Sequence, residues 1–304
     1  TNYKFYHYLL YIVGVLFVGN DYDVINMNVK KVNIEPRVSD RELEKISELI
    51  YQRAGIVLTN QKRDMVYNRL SRRLRDLRLT RFADYLGMLE SNPNSDEWQS
   101  FVNALTTNLT SFFREAYHFP LLAEHARQRR GNYNVWCTAS STGEEPCSVA
   151  ITLDETLGNY SAGPRVWATD IDTEVLSTAS AGVYRLNDLD NLSLEQKRSY
   201  FLRGTGAQQH LVKVRKDLLE TIHYQHLNLL DQNWDIPAPF DAIFCRNVMI
   251  YFDNKTQQHL LNRFSRLLKP GGLLFVGHSE HFSNINGPFR LRGQSVYTLA
   301  KEQR

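Results

Sequence analysis

Cysteine is scarce in this chain: Cys137, Cys147 and Cys245 are the only three in 304 residues, and no metal-ligand spacing relates them. Each sits among apolar or small residues. That argues against a disulfide framework and for a reducing compartment, so a cytoplasmic location is expected. GxGxxG, GKS and GKT are absent, so neither a dinucleotide nor a nucleoside triphosphate is the first expectation. No Ser/His/Asp or Cys/His arrangement stands out. His278 and His281 lie three apart with no third ligand, so no metal is expected. Net charge is only +3, too small by itself to point to nucleic acid. The apolar run Tyr8–Val18 has 11 residues, short of the roughly 20 that a membrane-spanning helix needs. It also lacks the basic start and A-x-A site of a signal peptide. Residues 1–38 are expected to be an N-terminal extension, non-native or disordered, with a membrane-associating segment as the competing reading.

Hydrophobic content of 42% and charged content of 23% suit a soluble globular enzyme of two domains or one large one. The central stretch is Val135–Ser148, VWCTASSTGEEPCS. An apolar strand-like run breaks into small residues and then into Glu144, Glu145 and Pro146, where a helix pattern starts. Strand, small-residue turn and helix start present main-chain N–H groups and a positive helix end to a ligand. A carboxylate placed there can also grip positive charge. A nucleoside with a cationic tail fits this turn better than a phosphate does.

Before this stretch, apolar spacing predicts helices over Asp40–Tyr51, Asn60–Leu77, Phe82–Leu89 and Trp98–Leu109, a small helical bundle. Beyond it, strands alternate with helices. Strands are expected at Tyr133–Cys137, Arg165–Ala168, Thr221–His226, Asp241–Cys245, Leu273–Gly277 and Ser295–Ala300. Helices are expected at Glu145–Leu157, Thr173–Ala181, Leu194–Tyr200 and Lys255–Leu268. The fold class is therefore α/β, a doubly wound, mainly parallel sheet with an N-terminal helical bundle. Gly204, Gly206 and the alternation Leu211 to Arg215 suggest a short antiparallel insertion at about 201–226.

Candidate site residues lie at the predicted strand ends. Asp170 closes the second strand, 27 residues after Gly143, where ribose hydroxyls are read in this architecture. Asp172 can cap the next helix, leaving Asp170 for a ligand. Arg246-Asn247 and Asn228-Leu229 follow two other strands. Tyr251 is core or catalytic on composition alone. Asn108, Thr110 and Arg114, with Phe112 and Phe113, join bundle to sheet as either a packed linker or a pocket wall. Arg69, Arg72 and Arg75 step round one helix face, which is either solvated or a docking surface.

The segments NALTTNLTSFFRE, STGEEPCS, ATDID, FDAIFCRNVMIYFD, LLKPGGLLFVGHSE and LRGQSVY together resemble the chemotaxis receptor methyltransferases of the CheR type, over about Ser39–Leu299. The resemblance implies a class I methyltransferase-like fold, with a helical domain at 39–112 and a catalytic domain at 113–304. It implies transfer of a methyl group from S-adenosyl-L-methionine to glutamate side chains on chemoreceptor cytoplasmic helices, leaving S-adenosyl-L-homocysteine. It casts Asn108, Thr110, Arg114, Glu145, Asp170, Asn228, Leu229, Arg246 and Asn247 as cofactor-binding. Arg114 would stand near the transferring methyl, and Tyr251 would be the active-site tyrosine. Arg69, Arg72 and Arg75 are expected to meet an acidic receptor helix. The insertion at 201–226, with Gly204, Gly206 and Lys213, resembles the family's β-subdomain, which in some members grips a receptor tail peptide. Tail-binding members commonly have Arg where Lys213 stands, and Lys lacks the bidentate fork. A monomer is expected, with neither metal nor nucleic acid as partner. Glutamate is already ionised at neutral pH, with a reference pKa of about 4.3, so no general base is required. The alternatives are a methyltransferase of a non-chemotaxis signalling array and a non-catalytic module that holds the cofactor or a receptor tail.

Overall fold

The structure, a computed structural model, describes residues 38–158, 165–282 and 287–300. Apart from Val38, the expected extension at 1–38 lies outside them. Helix α1 (Asp40–Ala54) begins at a capping box between Ser39 and Glu42 and closes on Gly55, whose φ of 70° suits a left-handed cap. A 3₁₀ turn at Asn60–Lys62 leads into α2 (Arg63–Asp76). Helices α3 (Phe82–Ser91) and α4 (Glu97–Leu105) follow. Leu43, Ile46, Val66, Leu70, Tyr85 and Phe101 interlock as the bundle's core. Helix α4 stops at Leu105, four residues before its expected end, because Thr106 turns extended with ψ 154°. Thr106 N–H closes the last helical bond, to the Val102 carbonyl at 3.0 Å, and the linker follows.

Helix α5 (His118–Arg127) precedes strand β1 (Val135–Cys137), α6 (Glu144–Leu157), β2 (Val166–Asp170) and α7 (Thr173–Ala181). Then come β3 (Val183–Arg185), α8 (Leu194–Tyr200), β4 (Phe201–Arg203), β5 (Leu211–Val214), α9 (Lys216–Leu219) and β6 (Ile222–His226). Strand β7 (Phe240–Cys245), α10 (Asn254–Leu267), β8 (Leu268–Val276), β9 (Phe289–Gly293) and β10 (Val296–Leu299) complete the described chain. The large sheet runs β6-β2-β1-β7-β8-β10-β9. Strands β6, β2, β1, β7 and β8 pair in parallel, and β10 pairs antiparallel with both β8 and β9.

Strand alternation sorts the core into two layers. Val135, Cys137 and Phe244 pack with α5 and α6 on one face, while Trp136, Ile243 and Cys245 pack with α10 on the other. Strand β1 has β2 on one side and β7 on the other. The chain thus leaves the sheet centre in opposite directions there, the switch point where such folds open a crevice.

The small sheet has order β3-β5-β4. It differs from the expected insertion at 201–226 at both ends. Val183–Arg185 joins it because Tyr184 packs beside Val212 and Phe201 in the first core layer. Ile222–His226 pairs instead with β2 in the large sheet. Helices α5 and α9 and strands β3 and β9 are additions to the expected elements, while β4 pairs antiparallel with β5 inside the expected insertion. Among the described residues, no helix is long and apolar enough to cross a membrane.

Candidate active site

One cleft gathers the expected residues at the carboxyl ends of β1, β2, β6 and β7, with about 1180 Å³ of space, its open mouth included. The linker brings Asn108, Thr110 and Arg114, and the start of α6 brings Glu145. Asp170 ends β2, Asn228-Leu229 follow β6, and Arg246, Asn247 and Tyr251 follow β7. Ile56, Val57 and Met65 of the bundle close one wall. Val57 N–H donates to the Tyr251 carbonyl at 2.8 Å, so the bundle and the β7 edge meet directly at the cleft.

Arg246 is the electrostatic centre. It is buried, and its Nη1 donates to Glu145 Oε2 at 2.9 Å. Its Nη2 donates to the Arg114 carbonyl and stands 3.3 Å from Glu115 Oε2. Burial pushes the Glu145 carboxyl up, against the opposing pull of Arg246. Glu115 behaves differently. Burial would raise it, but His278, whose N–H and Nδ1 lie 3.2 and 2.9 Å from Oε1, together with Arg246, holds it down at about 2. The linker's Arg114 is fixed from its main chain by Arg246 and from its side chain by a 2.7 Å bond to the Leu109 carbonyl.

The turn after β1 depends on Gly143. Its φ of 99° is left-handed, and a Cβ there would meet Tyr184 Oη at 2.7 Å and Ala179 Cβ at 2.9 Å. This glycine starts α6 and so places Glu145. Across the turn, Ser141 N–H donates to Asp170 Oδ2 at 2.8 Å, and Asp172 N–H donates to Oδ1 at 2.9 Å. Burial lifts the Asp170 carboxyl to about 6, with those two bonds opposing. Asp172 caps α7 through Glu174 N–H. Its other oxygen accepts from Thr106 Oγ1 and Asn108 Nδ2, both at 2.7 Å. Asn108 thus faces the cleft while its amide ties the linker to the end of β2. Asn228 is similarly engaged: its Nδ2 donates to the Arg53 carbonyl at 2.7 Å, anchoring α1. Leu229 is buried. Tyr251 is half-buried against the bundle core.

The expected receptor-facing residues divide. Arg72 and Arg75 are exposed on α2. Arg69 is not free on that face, because its Nη1 donates to the Thr106 carbonyl and reaches Thr107 Oγ1 at 3.4 Å. Lys213 is exposed on the central strand β5, opposite Val183 and Leu202, which are 39% and 48% exposed. Gly204 permits close approach, since a Cβ there would lie 2.2 Å from the Gln208 carbonyl oxygen, and Gly206 has φ 58°.

Family comparison decides the class. The family described as "CheR methyltransferase, SAM binding domain" matches residues 108–298, and "CheR methyltransferase, all-alpha domain" matches 41–106. The "Chemotaxis protein methyltransferase" of Klebsiella aerogenes is 63% identical over 88% of this chain and 92% of its own length. That of Salmonella typhimurium is 60% identical over 88% and 92%, and that of Escherichia coli 60% over 87% and 93%. The chain belongs to the CheR methyltransferase family. In CheR terms, the linker cleft opens within the SAM-binding domain and the bundle that walls it is the all-alpha domain.

The residues present fit S-adenosyl-L-methionine. A ribose diol and a cationic methionine end call for carboxylates and amides, and the cleft offers Asp170, Glu145, Asn108, Asn228 and Asn247 beside apolar walls. The buried Glu280 and the half-buried Glu115 of this CheR chain left no signal in the sequence.

Proposed function

We propose that this methyltransferase esterifies glutamate side chains on the cytoplasmic helices of chemoreceptors, releasing S-adenosyl-L-homocysteine. The observation that carries the reading is the pairing of Asp170 and Glu145 in one cleft. It has a carboxylate for each polar end of the cofactor, and a glutamate acceptor, ionised at neutral pH, needs no base. S-adenosyl-L-methionine, when bound, would supply a sulfonium methyl to the acceptor carboxylate oxygen, the sulfur–methyl electron pair going to sulfur, so no proton would need to move. The chain's task is positioning and exclusion of water, and near-attack alignment is worth up to roughly 7–11 kcal/mol. Asp170 would hold the ribose and Glu145 the methionine ammonium. Asn108, Thr110, Asn228, Leu229, Arg246 and Asn247 would line the cofactor. Arg114 would fix cofactor and acceptor together, and Tyr251 would orient the incoming carboxylate. Arg72 and Arg75 would meet the acidic receptor helix. The exposed face around Lys213, with the Gly204–Gly206 turn, would take a receptor tail. We assign the extension to 1–38, the helical domain to 39–112 and catalysis to 113–304, in a cytoplasmic monomer.

The reading is tested with tritiated S-adenosyl-L-methionine and chemoreceptor-containing membranes. Base-labile label released as methanol, and lost when receptor glutamates are changed to alanine, supports it. S-adenosyl-L-homocysteine binding without label would move the acceptor to another signalling partner or leave a cofactor-sensing role.

A further inference from the structure

A buried carboxylate outside the cofactor set holds the turn on which two of the cleft residues hang. Glu280 follows β8 in Gly277-His278-Ser279-Glu280 and is 3% exposed. Its Oε2 accepts from the N–H groups of Gly277 at 2.6 Å and Asn247 at 2.8 Å. Its Oε1 accepts from Met249 at 2.7 Å and Ile250 at 3.3 Å. Among the described residues no Lys, Arg or His forms an ion pair with it. A buried carboxylate without a cation is tolerable only where oriented N–H groups replace its water.

Three of those four N–H groups belong to residues 247–250. Asn247 sits there at φ 57°, a left-handed conformation that a non-glycine residue keeps only when its surroundings impose it. A Cβ at Gly277 would lie 2.4 Å from Asn247 Nδ2 and 2.9 Å from Glu280 Oε2, so a side chain there presses on the turn. Asn247 opens the turn, and the 3₁₀ segment Met249–Tyr251 completes it. One carboxylate therefore sets the main chain beneath both cleft side chains.

We propose that Glu280 is a positioning residue of the methyl-transfer site, whose charge locks the 247–250 turn so that Asn247 and Tyr251 face the cleft. The proposal rests on the reading of the cleft given above. Glutamine at this position keeps the shape but replaces one acceptor oxygen by a donor that faces N–H groups.

The experiment compares wild type with Glu280→Gln by amide hydrogen exchange and by turnover per S-adenosyl-L-homocysteine-binding site. The amides of Asn247, Met249 and Ile250 should exchange faster while those of β7 and β8 stay protected. Turnover per binding site should fall roughly 10–100-fold, the scale of a small misplacement in an active site. Unchanged exchange at those three amides, or unchanged turnover per site, overturns the proposal. Counting only binding-competent sites separates positioning from loss of folded protein. Gly277→Ala presses on the same turn from the other side and should give the same pattern; it is read in place of Glu280→Gln if that variant does not fold. If wild type itself transfers no methyl to receptors, the functional reading fails, and the exchange data still decide the role of Glu280 in the turn.

Discussion

Arg246 Nη1 donates to Glu145 Oε2 across 2.9 Å, joining the end of β7 to the start of α6 beneath the cleft. The same guanidinium reaches Glu115, so one buried cation sits between two buried carboxylates. Removing it leaves Glu145 without its cation, while Glu115 keeps its contacts to His278. Arg246→Met should lower unfolding stability by about 3–5 kcal/mol at pH 7.5, measured by urea denaturation. Without Arg246, the Glu145 carboxyl, already pushed up by burial, should titrate further above its unfolded value, so the folded state binds more protons than the unfolded one. Stability of the variant should therefore recover as pH falls from 7.5 towards 5. A loss that stays constant with pH would contradict this arrangement.

Asp170 sets a pH dependence of a different kind. Its carboxyl is lifted to about 6, first by burial. Ribose hydroxyls that donate to the ionised form would lower that value, so the free site must lose a proton before it binds. S-adenosyl-L-homocysteine affinity should be level above pH 7 and fall by up to about tenfold per unit below pH 6. Asp170→Asn should weaken binding at pH 7.5 by about 1.5–3 kcal/mol and flatten the slope. Calorimetry across pH 5–8 checks both.

The arginines of α2 should separate by function. Reversing Arg72 and Arg75 to Glu should raise the KM for receptor and leave cofactor affinity unchanged. Arg69→Ala should instead weaken cofactor binding, because Arg69 holds the Thr106–Thr107 segment that leads to Asn108. Equal effects of the two variants on both measurements would contradict the division.

Much of this was legible in the chain because strand ends and turns write themselves in residue type. Apolar β7 followed by Arg246-Asn247, or β2 closing on Asp170, could be placed without coordinates. Strand β9 could not: as an exposed edge it carries Arg290, Leu291 and Arg292 rather than an apolar face, and Leu291 is 57% exposed. Helix α5 was legible after the fact in Phe119, Leu122 and Ala126. Neither the engagement of Arg69 by a main-chain carbonyl nor the capture of four N–H groups by Glu280 leaves a spacing signal. The Arg69 partner and three of the four Glu280 partners are distant in sequence.

Gly143 tests the link between backbone and site. Gly143→Ala must adopt a left-handed φ and push against Tyr184 and Ala179. Thermal or urea unfolding should show a loss of about 1–3 kcal/mol or more, with weaker cofactor binding because Glu145 moves with the helix start. Unchanged binding in a destabilised variant would mean that the turn supports the fold alone.

The most direct measurement maps the methyl group itself. Wild-type protein, S-adenosyl-L-methionine and a receptor cytoplasmic fragment are incubated, and the receptor peptides are sequenced by mass spectrometry. The expected result is a methyl on glutamate side chains, with none on lysine or on the chain's own residues. Methylation at another side-chain type, or an unmodified receptor beside a cofactor-loaded enzyme, would contradict the assignment of glutamate as the acceptor.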